Sequence, residues 1–288
     1  MPDQPHIAQH ALDVDTDDEV TLAGEQSGDG VPIVLLHGLT ATRRYVVMGS
    51  RALERSGHRA IAYDARGHGH STPAPEPTAY GYERLAADLG EVLDAAGTER
   101  ALLAGASMGA HTAVRFALEH PERVAALAII TPAFDPSADQ SAGLPAWDAL
   151  ADGLREGGVE GFVSAYDLQG VPESLRATIA TVLRQRLAAH EHPDAVADAL
   201  EVVPRSRPFE ALAQLSSIKV PTVVVASRDE ADPGHPLTVG ESYARAIPGA
   251  RLVVEDAGVS GQPIPSPIAW QGGQLSRVIA ELAAAIGT

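Results

Sequence analysis

The sequence predicts an α/β fold, a doubly wound and mostly parallel sheet with an inserted helical cap. Three observations predict it. Short apolar runs alternate with helical patterns along most of the 288 residues, the rhythm of a sheet covered by helices on both faces. The pentapeptide Gly105-Ala106-Ser107-Met108-Gly109 sits between such a run and a helical segment. The alternation then stops between residues 134 and 217, where helical patterns follow one another without a strand.

Residues 14–23 read as one or two opening strands. Residues 32–37 and 59–64 are apolar runs of the length expected for buried strands. Leu85, Leu89, Val92 and Leu93 recur at helical spacing and make residues 85–96 an amphipathic helix. Residues 100–104 form the next strand, and residues 110–120 a helix that Pro121 ends. Strands follow at 124–131, 220–227 and 251–255, with helices at 237–247 and 274–286. The interrupting segment carries helical patterns at 147–155, 160–166, 173–190 and 193–202. The expected division is a core of residues 1–133 and 218–288 and a cap of residues 134–217 over the carboxyl edge of the sheet.

The pentapeptide fits the G-x-S-x-G pattern of a strained strand-to-helix turn that exposes a serine. The outer glycines let the strand and helix backbones pass closely, and the serine takes a cramped conformation between them. Its hydroxyl then projects at the carboxyl end of the sheet beside the first amides of a helix. A nucleophile needs that exposure, and a developing oxyanion needs those amides.

Composition narrows the rest. Hydrophobic residues make up 45% and charged residues 20%, which suits a globular chain long enough to bury a full α/β core. No apolar run is long enough to span a membrane, and residues 1–10 lack an apolar signal core. A cytoplasmic location is the expectation. With no cysteine, disulfides, thiol catalysis and thiolate metal sites are excluded. A net charge of −17 repels nucleic acid and anionic membranes; it could also discriminate against anionic substrates, but the preferred reading is a solvated acidic surface that aids solubility. Asp13-Val14-Asp15 and Asp17-Asp18 lack the glycine and glutamate of a calcium loop, and His190-Glu191-His192 has the wrong spacing for a helical zinc pair. No cofactor and no metal are expected, and the oligomeric state stays open.

Four local matches together make the chain resemble the α/β-hydrolase superfamily, in particular capped serine esterases and haloperoxidase-like members. Leu35-Leu36-His37-Gly38-Leu39 resembles the loop whose amide after His-Gly forms half of an oxyanion hole. Asp64-Ala65-Arg66-Gly67-His68-Gly69-His70-Ser71 resembles the family's D-x-R-G-x-G-x-S turn. Ser107 occupies the elbow, and Ser227-Arg228-Asp229-Glu230-Ala231-Asp232-Pro233 is similar to the turn that bears the acid. The resemblance implies Ser107 as nucleophile, Asp229 as acid, the amides of Leu39 and Met108 as oxyanion donors, and His37 as a structural buttress. A serine in place of aspartate at the elbow argues against epoxide hydrolase or dehalogenase chemistry.

The family order is serine, acid, then a histidine after the last strand. Here residues 256–265 contain no histidine, and none follows His235 anywhere. Three explanations remain open. His235, six residues past Asp229 on a Pro/Gly-rigid turn, is the base, with Asp229 or Asp232 orienting it. Alternatively His190 or His192 reaches down from the cap, or the triad is broken. The function expected is hydrolysis of a small carboxylic ester, thioester or lactone through an acyl-enzyme on Ser107. The rivals are a non-hydrolytic ligand-binding relative and lyase or perhydrolase chemistry on the same fold.

Overall fold

A computed structural model of the protein describes residues 8–169, 173–228, 234–254 and 270–286. Among these, one sheet contains β1 (Gln9–Asp15), β2 (Thr21–Ser27), β3 (Val31–Leu36), β4 (His58–Tyr63), β5 (Ala101–Ala106), β6 (Val124–Ile130), β7 (Thr222–Ala226) and β8 (Arg251–Val254). Their spatial order is β1-β2-β4-β3-β5-β6-β7-β8. The two pairs made by β2, with β1 and β4, are antiparallel, and every other pair is parallel. The helices are α1 (Ala52–Arg55), α2 (Tyr82–Ala95), α3 (Met108–Glu119), α4 (Leu144–Ala165), α5 (Glu173–Leu187), α6 (Pro193–Val202), α7 (Leu237–Ala246) and α8 (Gly272–Ala284).

The central strands read as unbroken apolar runs because both faces are covered. Alternate residues of one strand enter different cores. Val34, Leu103 and Val224 pack with α2, α3 and α7, through Leu89, Val114 and Tyr243 among others. Ile33, Leu102, Val223 and Val225 face the opposite way, onto Leu53 of α1 and Leu275, Ile279 and Leu282 of α8. A third cluster sits at the carboxyl edge. There Leu39, Tyr80, Tyr82 and Met108 meet Leu154 and Phe162 of α4, Leu183 of α5, and Val196 and Leu200 of α6. The helical insertion therefore packs on the sheet edge that carries Ser107.

Two local expectations change. Residues 14–23 span a turn, and the opening strands are the β1–β2 hairpin to either side of it. The polar run Thr16-Asp17-Asp18 explains this: Thr16 donates its amide to the Val20 carbonyl at 2.8 Å, and its hydroxyl accepts from the Val20 amide at 3.1 Å. The expected helices 147–155 and 160–166 are halves of α4, separated at Gly158, whose φ of 57° and ψ of −145° leave the helical region.

Candidate active site

Strand β3 pairs with β4 on one side and β5 on the other. The strand order thus reverses at β3, and the loops leaving β3 and β5 flank a crevice at their carboxyl ends, the usual ligand position in an open α/β sheet. Ser107 stands at that point with φ 51° and ψ −114°, a sparsely populated conformation for a non-glycine residue. Its neighbours permit it. A Cβ on Gly105 would lie 2.2 Å from the Gly109 carbonyl oxygen, and one on Gly109 would lie 2.2 Å from the Leu36 carbonyl oxygen. Only hydrogen fits at either position.

His235 lies between β7 and α7, and its Nε2 is 2.9 Å from Ser107 Oγ. This is hydrogen-bond distance, the separation that proton transfer between a hydroxyl and an imidazole requires. Among the described residues no hydrogen bond engages the amides of Leu39 or Met108. Met108 opens α3, so its N–H belongs to the unpaired first turn of a helix. Asp229 and Asp232 lie outside the described residues, as does the loop 256–265.

The other histidines serve the backbone. His37 accepts the Ala65 amide on Nε2 at 2.9 Å and contacts the Gly38 carbonyl through Nδ1 at 2.8 Å, which assigns its proton to Nδ1. His68 sets Nε2 2.6 Å from the Leu39 carbonyl and Nδ1 2.9 Å from the Arg66 carbonyl. His190 accepts the Gly69 amide at 2.8 Å, so it braces the Gly-rich turn and does not reach Ser107. His111 accepts the amides of Ala133 and Phe134 on Nε2 and faces the Tyr82 hydroxyl at 3.0 Å. Burial pushes His37, His190 and His111 down to about 3. All three are neutral near pH 7.

Ser107 and His235 share a cavity of about 200 Å³ with Tyr45, Tyr166, Ile179, Val182, Leu183, Arg186 and Trp270, among others. A larger groove of about 530 Å³ lies elsewhere, beside Arg43, Arg51, Glu54 and Asp64. Among the described residues that line it no serine hydroxyl meets a histidine ring, and two of its arginines are held in ion pairs, Arg43 to Asp64 and Arg51 to Glu54. Among the described residues no helix is long and apolar enough to cross a membrane, and no group of three or more His, Cys, Asp or Glu side chains is placed to hold a metal ion.

Comparison with known proteins agrees with this fold. Residues 31–262 match the family model described as alpha/beta hydrolase fold. The chain belongs to that family. A Variovorax paradoxus protein provisionally named carbamate hydrolase RutD is 32% identical over 208 residues, which cover 70% of this chain and 75% of the relative. A thermophilic esterase from Thermogutta terrifontis superposes with a TM-score of 0.77 at 25% identity, covering 97% of this chain and 100% of the esterase. An alpha/beta hydrolase from Sphaerobacter thermophilus superposes with a TM-score of 0.68 at 28% identity, covering 94% and 99%.

Within this alpha/beta hydrolase, Ser107 and His235 are in direct contact and His190 is engaged elsewhere. His192 stands at the start of α6, where its carbonyl accepts the Ala195 amide. Arg186 was not anticipated from the sequence. Its signal was present: Ile179, Val182, Leu183 and Arg186 recur at i, i+3, i+4 and i+7, one face of a helix.

Proposed function

We propose that this alpha/beta hydrolase cleaves a small carboxylic ester, thioester or lactone through an acyl-enzyme on Ser107. The observation that carries the proposal is the 2.9 Å contact from His235 Nε2 to Ser107 Oγ at the mouth of a strained elbow. His235 takes the serine proton as Oγ attacks the carbonyl carbon. The amides of Leu39 and Met108 receive the oxyanion, and preformed donors of this kind contribute about 3–4 kcal/mol each. His235 returns the proton to the leaving oxygen or sulfur, then activates the water that releases the acid. Asp229 orients the imidazole in this scheme. A carbamate, the group named for the Variovorax relative, presents a carbonyl open to the same attack.

The cavity of about 200 Å³ is smaller than the roughly 300–1,000 Å³ typical of drug-sized ligands, which favours short acyl groups. The helices of residues 134–217 act as a cap, because α5 supplies one wall of the cavity. The test compares turnover of 4-nitrophenyl acetate and butyrate by the natural protein and by Ser107→Ala. The variant is expected to fold normally and lose at least about 10³-fold in rate. Equal rates would assign the reaction elsewhere.

A further inference from the structure

Among the described residues four non-glycines have a positive φ, Glu19, Met48, Ser107 and Thr131. Three of them, Met48, Ser107 and Thr131, line the cavity that holds His235. The strain at Ser107 belongs to the elbow. Thr131, at the end of β6, is a different case. Its φ is 44°, and a β-branched side chain is poorly suited to that region. Glycine would take the same backbone without steric cost. The Thr131 amide donates to the Val225 carbonyl at 2.7 Å, and the Ile130 carbonyl beside it accepts the Ser107 amide at 3.0 Å. Both bonds are made by the backbone, so they do not explain why the side chain is threonine. Strain of this kind gathers at active sites.

A second hydroxyl stands next to it. The Thr131–Val225 bond sets Thr131 beside the end of β7, and Ser227 is the first residue beyond that strand. Ser227 is 1% exposed and lines the same cavity. Among the described residues its Oγ has no hydrogen-bond partner, and neither does the Thr131 hydroxyl. A buried hydroxyl left unbonded is unfavourable, and alanine in its place would be less so. No bond holds the Ser227 hydroxyl, which turns about one torsion between staggered positions. The ends of β5 and β6 give the cavity only apolar side chains, Ala106 and Ile130. Two unbonded hydroxyls thus interrupt an apolar lining, one on a strained backbone and one without a partner in its burial.

We infer that the hydroxyls of Thr131 and Ser227 bind a hydroxyl group on the acyl chain of the substrate. The inference rests on the serine hydrolase reading above. A hydroxyl both donates and accepts, so one such group satisfies the two side chains in either role, whereas a carbonyl only accepts. The acyl group stays bonded to Ser107 after the leaving group has gone. It therefore takes the closed end of the cavity, which the burial of Ser227 marks, and the leaving group takes the open end. The backbone bond between Ser107 and Ile130 keeps Thr131 near the nucleophile, which places the bound hydroxyl close to the scissile carbonyl. The cavity of about 200 Å³ keeps the acyl chain short.

The test uses two esters of matched shape, ethyl 3-hydroxybutanoate, as each enantiomer, and ethyl 3-methylbutanoate, in which a methyl group replaces the hydroxyl. Hydrolysis is followed by pH-stat. The natural protein is expected to prefer one enantiomer of the hydroxy ester over the methyl ester by about 10-fold or more in kcat/KM. Thr131→Val, which keeps the side-chain shape, and Ser227→Ala each lower that ratio several-fold, and Thr131→Ser keeps most of it. Thr131→Gly relieves the strain, so it is expected to unfold at no lower urea concentration than the natural protein while losing the preference. A threonine needed only for structure would do the reverse. Equal kcat/KM for the esters in the natural protein, or a ratio unchanged in either Thr131→Val or Ser227→Ala, overturns the inference. NMR titration of the esters onto Ser107→Ala, with and without Thr131→Val, separates the two claims. Thr131-dependent preference in binding with no turnover of any ester by the natural protein sinks the hydrolase reading and keeps the hydroxyl site. Turnover with no preference in rate or binding sinks the hydroxyl site and keeps the hydrolase reading. Neither turnover nor preferential binding overturns both.

Discussion

The histidines behind the loop that follows β3 and the histidine that follows β7 have the same ring and different surroundings. His37 and His190 are buried and spend ring nitrogens on backbone groups of residues 38, 40, 65 and 69. His68 packs between them, 5.2 Å from the His37 ring and 5.5 Å from the His190 ring. Burial, and next the neighbouring His68 ring, push both down to about 3, and protonating either would also remove an acceptor from a backbone amide. His235 is half-buried at a cavity and turns Nε2 to a hydroxyl. The difference separates histidines that brace the loop after β3 from the one that meets the Ser107 hydroxyl.

Double substitution gives the largest expected effect. Ser107→Ala and His235→Ala are each expected to lose at least about 10³-fold in kcat, and the double variant to be no worse than the more damaging single one, because the two groups act as a unit. Additive losses measured by steady-state kinetics would show that His235 acts independently of Ser107.

Next comes a change in stability. His37→Ala strips the Ala65 amide of its acceptor and is expected to cost about 1–3 kcal/mol in urea unfolding, whereas His235→Ala, at a half-exposed position, costs well under about 1 kcal/mol. Equal costs would erase the distinction between the two regions.

Acid supplies a third contrast. The folded values of His37, His190 and His111 are depressed to about 3 from an ordinary 6.5, so between those limits the unfolded chain binds more protons than the folded one. Their contribution is fully present above pH 6.5 and is lost as pH falls toward 3. Each adds a slope of about 1.4 kcal/mol per pH unit in mid-window. Thermal melts from pH 7 to 4.5 should therefore show a steep fall in Tm that His37→Gln makes shallower. A flat profile would mean that these rings titrate normally.

The smallest effect is expected at His192. It stands at the start of α6 outside both groups, and His192→Ala should change stability by no more than about 0.5 kcal/mol and leave kcat within error. A large kcat loss would return the base to the helical insertion.

The elbow was legible in the sequence because its constraints are local. The glycines that admit the tight turn and the serine between them lie within five residues, and β3 to β7 read as apolar runs because both their faces are buried. The turn in residues 14–23 was misread because the run's apolar ends masked the polar residues between them. The partners of the histidines were not legible for a different reason. His190 meets Gly69 across 121 residues and His235 meets Ser107 across 128, so no pattern along the chain distinguishes the ring that braces a loop from the ring that reaches Ser107. Arg186 stayed hidden likewise, since its helical spacing is visible but the side of α5 that faces the cavity is set by packing.

The pairing of Ser107 with His235 is tested most directly by the rate at which a fluorophosphonate labels Ser107, located by peptide mass spectrometry, in the natural protein and in His235→Ala. The account predicts labelling at Ser107 in the natural protein and a rate at least about 10³-fold lower in the variant. Labelling of Ser107 at an unchanged rate in His235→Ala would contradict it.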